Sequence, residues 1–245
     1  MANYKIVFSP TGGVEKCTDL IAAHLGTGWK EIDLSHPICP VSLKEEDLCI
    51  YAVPSFGGRV VPIATERMKR IQGNGAKAIL LCVYGNRAYE DTLVEMQDTL
   101  TAQGFRCIAA VAALAEHSIM NQYATGRPDS SDEAMLAEFA AKIAANLDNP
   151  LASLPGNRPY KEYKVVPMVP QLGESCTGCG LCVEECPVGA IGDDFAIDSA
   201  KCIGCMRCRS ICPSQARFLD PERLAMLVGR LGPALEGRKE NELFL

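Results

Sequence analysis

The sequence predicts an α/β chain in two parts: a doubly wound five-stranded parallel sheet, then a small α+β module rich in cysteine. Three observations carry this. Short apolar runs alternate with amphipathic ones through residues 1–148. Most of the 13 cysteines crowd between positions 176 and 212. A Pro-rich stretch without periodicity, 149–170, lies between the two parts.

Residues 4–8 (YKIVF) read as the first buried strand, followed by the turn SPTGGVEK and an amphipathic run from Val14 to Leu25, with Leu20 and Ile21 inward. Further strands are expected at 29–34, 48–53, 77–84 and 105–113. Helices fit 60–72, with Ile63, Arg67 and Ile71 at helical spacing, and 89–103. A last helix starts at Ser130-x-x-Glu133, a capping-box pattern, and carries Leu136, Phe139, Ile143 and Leu147 on one stripe. Such alternation implies right-handed crossovers, and five strands in this length fit the order 2-1-3-4-5. Ligands of these sheets bind beyond the carboxyl ends of the strands. Segments 9–16, 54–62 and 84–91 lie there.

Their chemistry agrees. Ser9, Pro10, Thr11, Gly12, Gly13 and Val14 offer hydroxyls and free N–H groups at a helix start, the ingredients of a phosphate cradle. Pro54, Ser55, Phe56, Gly57, Gly58 and Arg59 place an aromatic on a flexible loop. Tyr84, Gly85, Asn86, Arg87, Ala88 and Tyr89 do the same one strand later. A flat isoalloxazine is held naturally between two such loops.

The second part reads Cys176-x2-Cys179-x2-Cys182-x3-Cys186-Pro187 and then Cys202-x2-Cys205-x2-Cys208-x3-Cys212-Pro213, an internal repeat at an offset of 26 residues. This run wraps a [4Fe–4S] cluster, the fourth cysteine being carried to the other cluster. Cys176, Cys179, Cys182 and Cys212 are therefore assigned to one cluster, and Cys202, Cys205, Cys208 and Cys186 to the second. Zinc modules pair CxxC knuckles across a longer loop, and a disulfide framework needs an export signal that this sequence does not display.

Residues 171–219 resemble the bacterial two-cluster ferredoxins, and residues 1–148 resemble a flavodoxin domain. The whole chain resembles the flavodoxin–ferredoxin fusions of anaerobes. That resemblance implies FMN, with its phosphate on Ser9, Thr11, Gly12 and Gly13 and its ring between Phe56 and Tyr89. Gly13 and Val14 stand where the family has Asn and Thr, so the phosphate leans on backbone N–H. Arg59 and Arg87 sit where ordinary flavodoxins crowd acidic residues. They either raise the flavin potential or are solvated loop arginines.

Loop 114–130, with its EHS and GRPD stretches, is similar to the fusion proteins. Its His117 either meets the flavin or bonds to backbone. Cys17, in the first turn of the first helix, is either an activated thiol or a packing residue. Cys49, Cys82 and Cys107 lie within apolar runs and are expected to be buried. The linker 149–170, with Pro150, Pro155, Pro159, Pro167 and Pro170, reads as semi-rigid and extended, with a reach on the order of 70 Å. Segment 220–245 opens with Asp220-Pro221, a cap for a helix over 221–231 bearing Leu224, Leu227 and Leu231. The tail after Gly232 is expected to fray.

A net charge of −6 argues against a nucleic-acid surface. No apolar run is long enough to span a bilayer. Thirteen cysteines without an export signal suit a reducing cytoplasm. The expected function is electron transfer between FMN and two [4Fe–4S] clusters, joining two-electron to one-electron redox partner proteins, with no side chain acting as a catalytic acid or base. A flavin-dependent oxidoreductase acting on NAD(P)H or another small substrate is the alternative, although no GxGxxG follows a strand. An empty docking module that presents a ferredoxin is a third reading.

Overall fold

A computed structural model describes residues 2–166 and 168–245, so the linker proline Pro167 lies outside the described residues. The first part contains β1 (Asn3–Val7), α1 (Gly13–Ala22), β2 (Trp29–Asp33), β3 (Val41–Ser42), β4 (Leu48–Phe56) and β5 (Arg59–Val60). It continues with α2 (Pro62–Met68), β6 (Ile71–Gln72), β7 (Lys77–Tyr84), α3 (Thr92–Ala102), β8 (Arg106–Leu114) and α4 (Ser130–Ala144). The remainder holds β9 (Gln171–Leu172), α5 (Leu181–Glu184), α6 (Arg207–Ser210), β10 (Arg217–Phe218), α7 (Pro221–Leu235) and β11 (Glu242–Phe244).

The main sheet runs β11-β8-β7-β4-β1-β2, with β5 hairpinned onto β4. Its five long strands are parallel. Counted alone, they take the order 2-1-3-4-5 of the flavodoxin-like fold. Alternate residues of each strand enter opposite cores. Cys49, Tyr51 and Val53 join one face with Leu80 and Cys82. Leu48, Ile50 and Ala52 join the other with Ile79, Leu81 and Val83. Each fully buried Leu or Ile contributes about 1.5–3 kcal/mol, which is why these strands read as unbroken apolar runs.

Several expectations need correction. The helix expected over 60–72 covers only Pro62–Met68. Val60 is paired with Ser55, and Ile71–Gln72 leave the helix to pair with Val41–Ser42. The last helix of the first part is capped by Asp129 with Asp132 as its box partner, one residue earlier than Ser130/Glu133. The linker, expected to be semi-rigid and extended, is clamped along the first part. Asp91, fully buried, accepts from the Asn157 and Lys161 backbone N–H groups at 2.8 and 2.7 Å. Arg158 bonds Asp98, and Tyr160 donates to the same carboxylate.

The tail does not fray. Helix α7 runs through Pro233 to Leu235, and Glu242–Phe244 pair antiparallel with Ala110–Ala112. Asn241 accepts from the Leu114 N–H at 2.9 Å and donates to Asp132 at 2.9 Å. The buried Arg127 grips Asp132 and donates to the Lys239 carbonyl at 2.7 Å. Leu224, Leu227 and Leu231 pack with Ile119, Met120 and Met206, tying α7 to loop 114–130 and to the cysteine-rich segment.

Candidate functional site

The carboxyl ends of β1, β4 and β7 open into a shared cavity. Thr11, Gly13 and Val14 line it from the turn into α1, where Gly12 caps the helix in the left-handed region (φ 85°). Pro54, Ser55, Phe56 and Gly57 line it from the end of β4, and Tyr84, Gly85 and Arg87 from the end of β7. Gly85 lets loop 114–130 close in: a Cβ there would stand 2.8 Å from His117 Cα.

Six of the expected residues do not line this cavity. Ser9 accepts the Glu15 N–H at 3.0 Å and so serves α1. Gly12 faces a neighbouring groove that it shares with Lys16, Arg209 and Cys212. Gly58 backs onto the Glu90 side chain. Arg59 is held in a bidentate pair by Glu95 (2.7 and 2.9 Å) and lies over the Tyr160 ring at 4.7 Å. Asn86 donates to the Gly237 carbonyl at 2.7 Å. Tyr89 stands edge-on behind Tyr84, with ring centroids 5.3 Å apart. The aromatic walls are therefore Phe56 and Tyr84 in place of Phe56 and Tyr89. Arg87 does line the cavity, but its guanidinium is forked by Glu90 at 3.0 and 2.9 Å.

The remaining wall comes from segments in which no flavin contact is expected from the sequence. The clamped linker supplies Tyr163, Val165 and Val166; α7 supplies Leu227 and Leu231; the cysteine-rich segment supplies Ile203 and Cys205. The Tyr163 hydroxyl is buried without a hydrogen-bond partner among the described residues. Burial, with a smaller contribution from the neighbouring Cys205, pushes its pKa up to about 12, so it remains a donor. Tyr163 in KEYKVV is the one clue available in the linker. An orphaned donor in an apolar slot between aromatic loops suits a planar ligand with a polar edge.

His117 lines the same cavity. Its Nδ1 accepts the Ile119 and Met120 N–H groups, each at 3.2 Å, so the ring proton sits on Nε2. Burial lowers its pKa to about 4. Between that value and the ordinary 6.5 the unfolded chain binds a proton that the folded chain refuses, so stability rises with pH there and falls on acidification. Denaturant melts should lose about 2 kcal/mol from this group between pH 7 and pH 5. His117→Gln should flatten that dependence, and identical slopes in the two proteins would contradict it. Cys17 is a packing residue, its thiol fully buried and pushed up to about 12 by burial. Cys49, Cys82 and Cys107 are buried as expected.

The eight repeat cysteines fall into two groups in space. Cys176, Cys179, Cys182 and Cys212 line one small cavity. Cys202, Cys205, Cys208 and Cys186 line another. The repeat is structural as well as sequential. Helices α5 and α6 stand 26 positions apart, and the Ala190 and Ala216 N–H groups each donate to the sulfur of the preceding Cys-Pro cysteine at 3.3 Å. Donors aimed at sulfur favour the thiolate that a cluster requires. Burial meanwhile raises the Cys205 and Cys208 thiols to about 11 and 12, so metal uptake there releases protons. Among the described residues no three His, Cys, Asp or Glu side chains form a group suited to a single metal ion.

The model of the 4Fe-4S binding domain matches residues 173–192 and 195–218. The chain is also similar to the ferredoxin-like protein in the nif region of Rhizobium leguminosarum bv. trifolii, 41% identical over 51 residues, which are 17% of this chain and 80% of that protein. This chain belongs to the 4Fe-4S ferredoxin family. Its ferredoxin segment is joined to a flavodoxin-like sheet, the fold read above from strand order. An epoxyqueuosine reductase of Synechocystis sp. is 28% identical over 126 residues, 40% of this chain, and the chain spans only 38% of that protein's length. Flavodoxin 1 of Bacillus cereus is a similar solved structure at 16% identity, with a TM-score of 0.44, covering 60% of this chain and all of that one. No helix among the described residues is long and apolar enough to cross a membrane.

Proposed function

We propose that this chain passes electrons between FMN, held in the cavity at the carboxyl ends of β1, β4 and β7, and two [4Fe–4S] clusters held by the two cysteine quartets. The observation that carries this reading is a shared wall: Ile203 and Cys205 line both the large cavity and that of the Cys202/Cys205/Cys208/Cys186 quartet. FMN exchanges one or two electrons and each cluster one, so their union would join two-electron to one-electron redox partners. Thr11 and the first amides of α1 would hold the phosphate. Phe56 and Tyr84 would flank the ring, and Tyr163 and His117 Nε2 would supply donors at its rim.

Val165, Val166, Leu227 and Leu231 close the cavity from the ferredoxin side, which favours a carrier over an enzyme that stacks a nicotinamide on an open flavin. Anaerobic reconstitution followed by stopped-flow mixing with NADH or NADPH tests this choice. Persistence of the flavin band supports the carrier; prompt bleaching overturns it. Arg87→Ala removes a cation from the wall and leaves Glu90 behind, so the flavin midpoint should fall. An unchanged midpoint would mean that Glu90 already cancels the arginine.

A further inference from the structure

The internal repeat is broken at one buried position. Shifting Ile191 by 26 residues gives Arg217, and both are buried, at 6% and 3% exposure. Where one half packs an aliphatic side chain, the other buries a guanidinium. Its partners are not carboxylates: Nη2 donates to Cys182 Sγ at 3.4 Å and to the Phe195 carbonyl at 2.8 Å, and Nε is buried with no partner among the described residues. Removing an arginine from water without a counter-charge costs several kcal/mol. Arg217 lines the cavity of the Cys176/Cys179/Cys182/Cys212 quartet, where Ile191 lines the other. The missing negative charge is what a thiolate-ligated cluster would bring.

Resting on the two-cluster reading, we propose that Arg217 makes the two clusters unequal by holding the one in the Cys176/Cys179/Cys182/Cys212 quartet at the higher potential. Reduction adds negative charge to a cluster, and a buried cation bonded to a ligand sulfur favours the reduced form. The cavity next to the flavin site belongs to the other quartet, whose matching position is Ile191. Electrons entering from the flavin side would thus run downhill to the cluster beside Arg217, and a partner would be served from there. Arg217 is a positioning residue for charge.

The test is an anaerobic redox titration of the intact, reconstituted chain and of Arg217→Ile, which copies the residue of the other half. Wild type should titrate in two separated cluster waves. In R217I the upper wave should move down and the gap narrow, by a shift equivalent to at least about tenfold in reduced fraction, or about 59 mV for one electron. Arg217→Lys should retain most of the gap. If R217I fails to hold its iron, Arg217→Gln, with an N–H donor but no charge, takes its place and should shift likewise. An unchanged gap in the uncharged variant, or equal movement of both waves, overturns the proposal. Iron and flavin counts on the same samples separate that failure from failure of the cofactor reading, which would leave wild type itself short of iron or flavin.

Discussion

Cys205→Ser should cut the iron content from roughly eight atoms per chain to roughly four, with flavin content retained. Cys205 lies on the wall common to the flavin cavity and the second quartet's cavity. The substitution would therefore remove the cluster proposed there and leave the Cys176/Cys179/Cys182/Cys212 quartet intact. Electrons placed on the flavin would lose their short route out, and any fast bleaching of cluster absorbance after flavin reduction should vanish. Iron analysis and rapid-mixing absorbance check the two halves of this expectation. Full iron in C205S and also in Cys205→Ala, which offers no substitute ligand, would show that Cys205 is not a ligand. Fast transfer surviving the loss of four irons would show that the route avoids it.

Asp132→Asn should be the most damaging substitution outside the cofactor cavities. Asp132 is fully buried and binds Arg127, the Asp129 N–H and Asn241 at once. Burial pulls its carboxyl pKa up, but the hydrogen bonds from Arg127, Asp129 N–H and Asn241 outweigh that and hold it below the usual carboxylate range. An amide leaves Arg127 as a buried cation without a counter-charge, which costs about 3–5 kcal/mol. At roughly 2–4 °C per kcal/mol for a chain of this size, Tm should fall on the order of 10 °C. The carboxylate's contribution is present above the unfolded-state pKa of about 3.9 and is lost as pH drops below it. Calorimetry of D132N against wild type checks the magnitude, and a Tm within 2 °C would mean that the tail is held by β11 pairing alone.

The sheet was legible because its strands are buried on both faces, which leaves unbroken apolar runs such as LCIYAV and KAILLCVY. The two cysteine quartets were legible because the x2 and x3 spacing is a local geometric constraint. What the sequence hid was decided by partners distant along the chain. NELFL is too short and too polar to announce a strand, yet Asn241 and the edge of β8 capture it. Asp129 and Ser130 are both good helix caps, and the ion pair between Arg127 and Asp132 selects the first. Apart from Tyr163 little local marks residues 157–166 as a cavity wall, because Asp91, distant along the chain, holds the segment through the Asn157 and Lys161 amides and the Asn157 side chain. Arg59 looked like a flavin-loop cation because Glu95, its true partner, lies 36 residues on.

Flash reduction of the flavin in the reconstituted chain, followed by absorbance at flavin and cluster wavelengths over a range of protein concentrations, asks most directly whether the shared Ile203–Cys205 wall carries electrons. Transfer within one molecule predicts that the cluster bands bleach as the flavin reoxidises, at a rate that does not change with concentration. A rate that rises in proportion to concentration, or clusters that stay oxidised while the flavin holds its electrons, would contradict it.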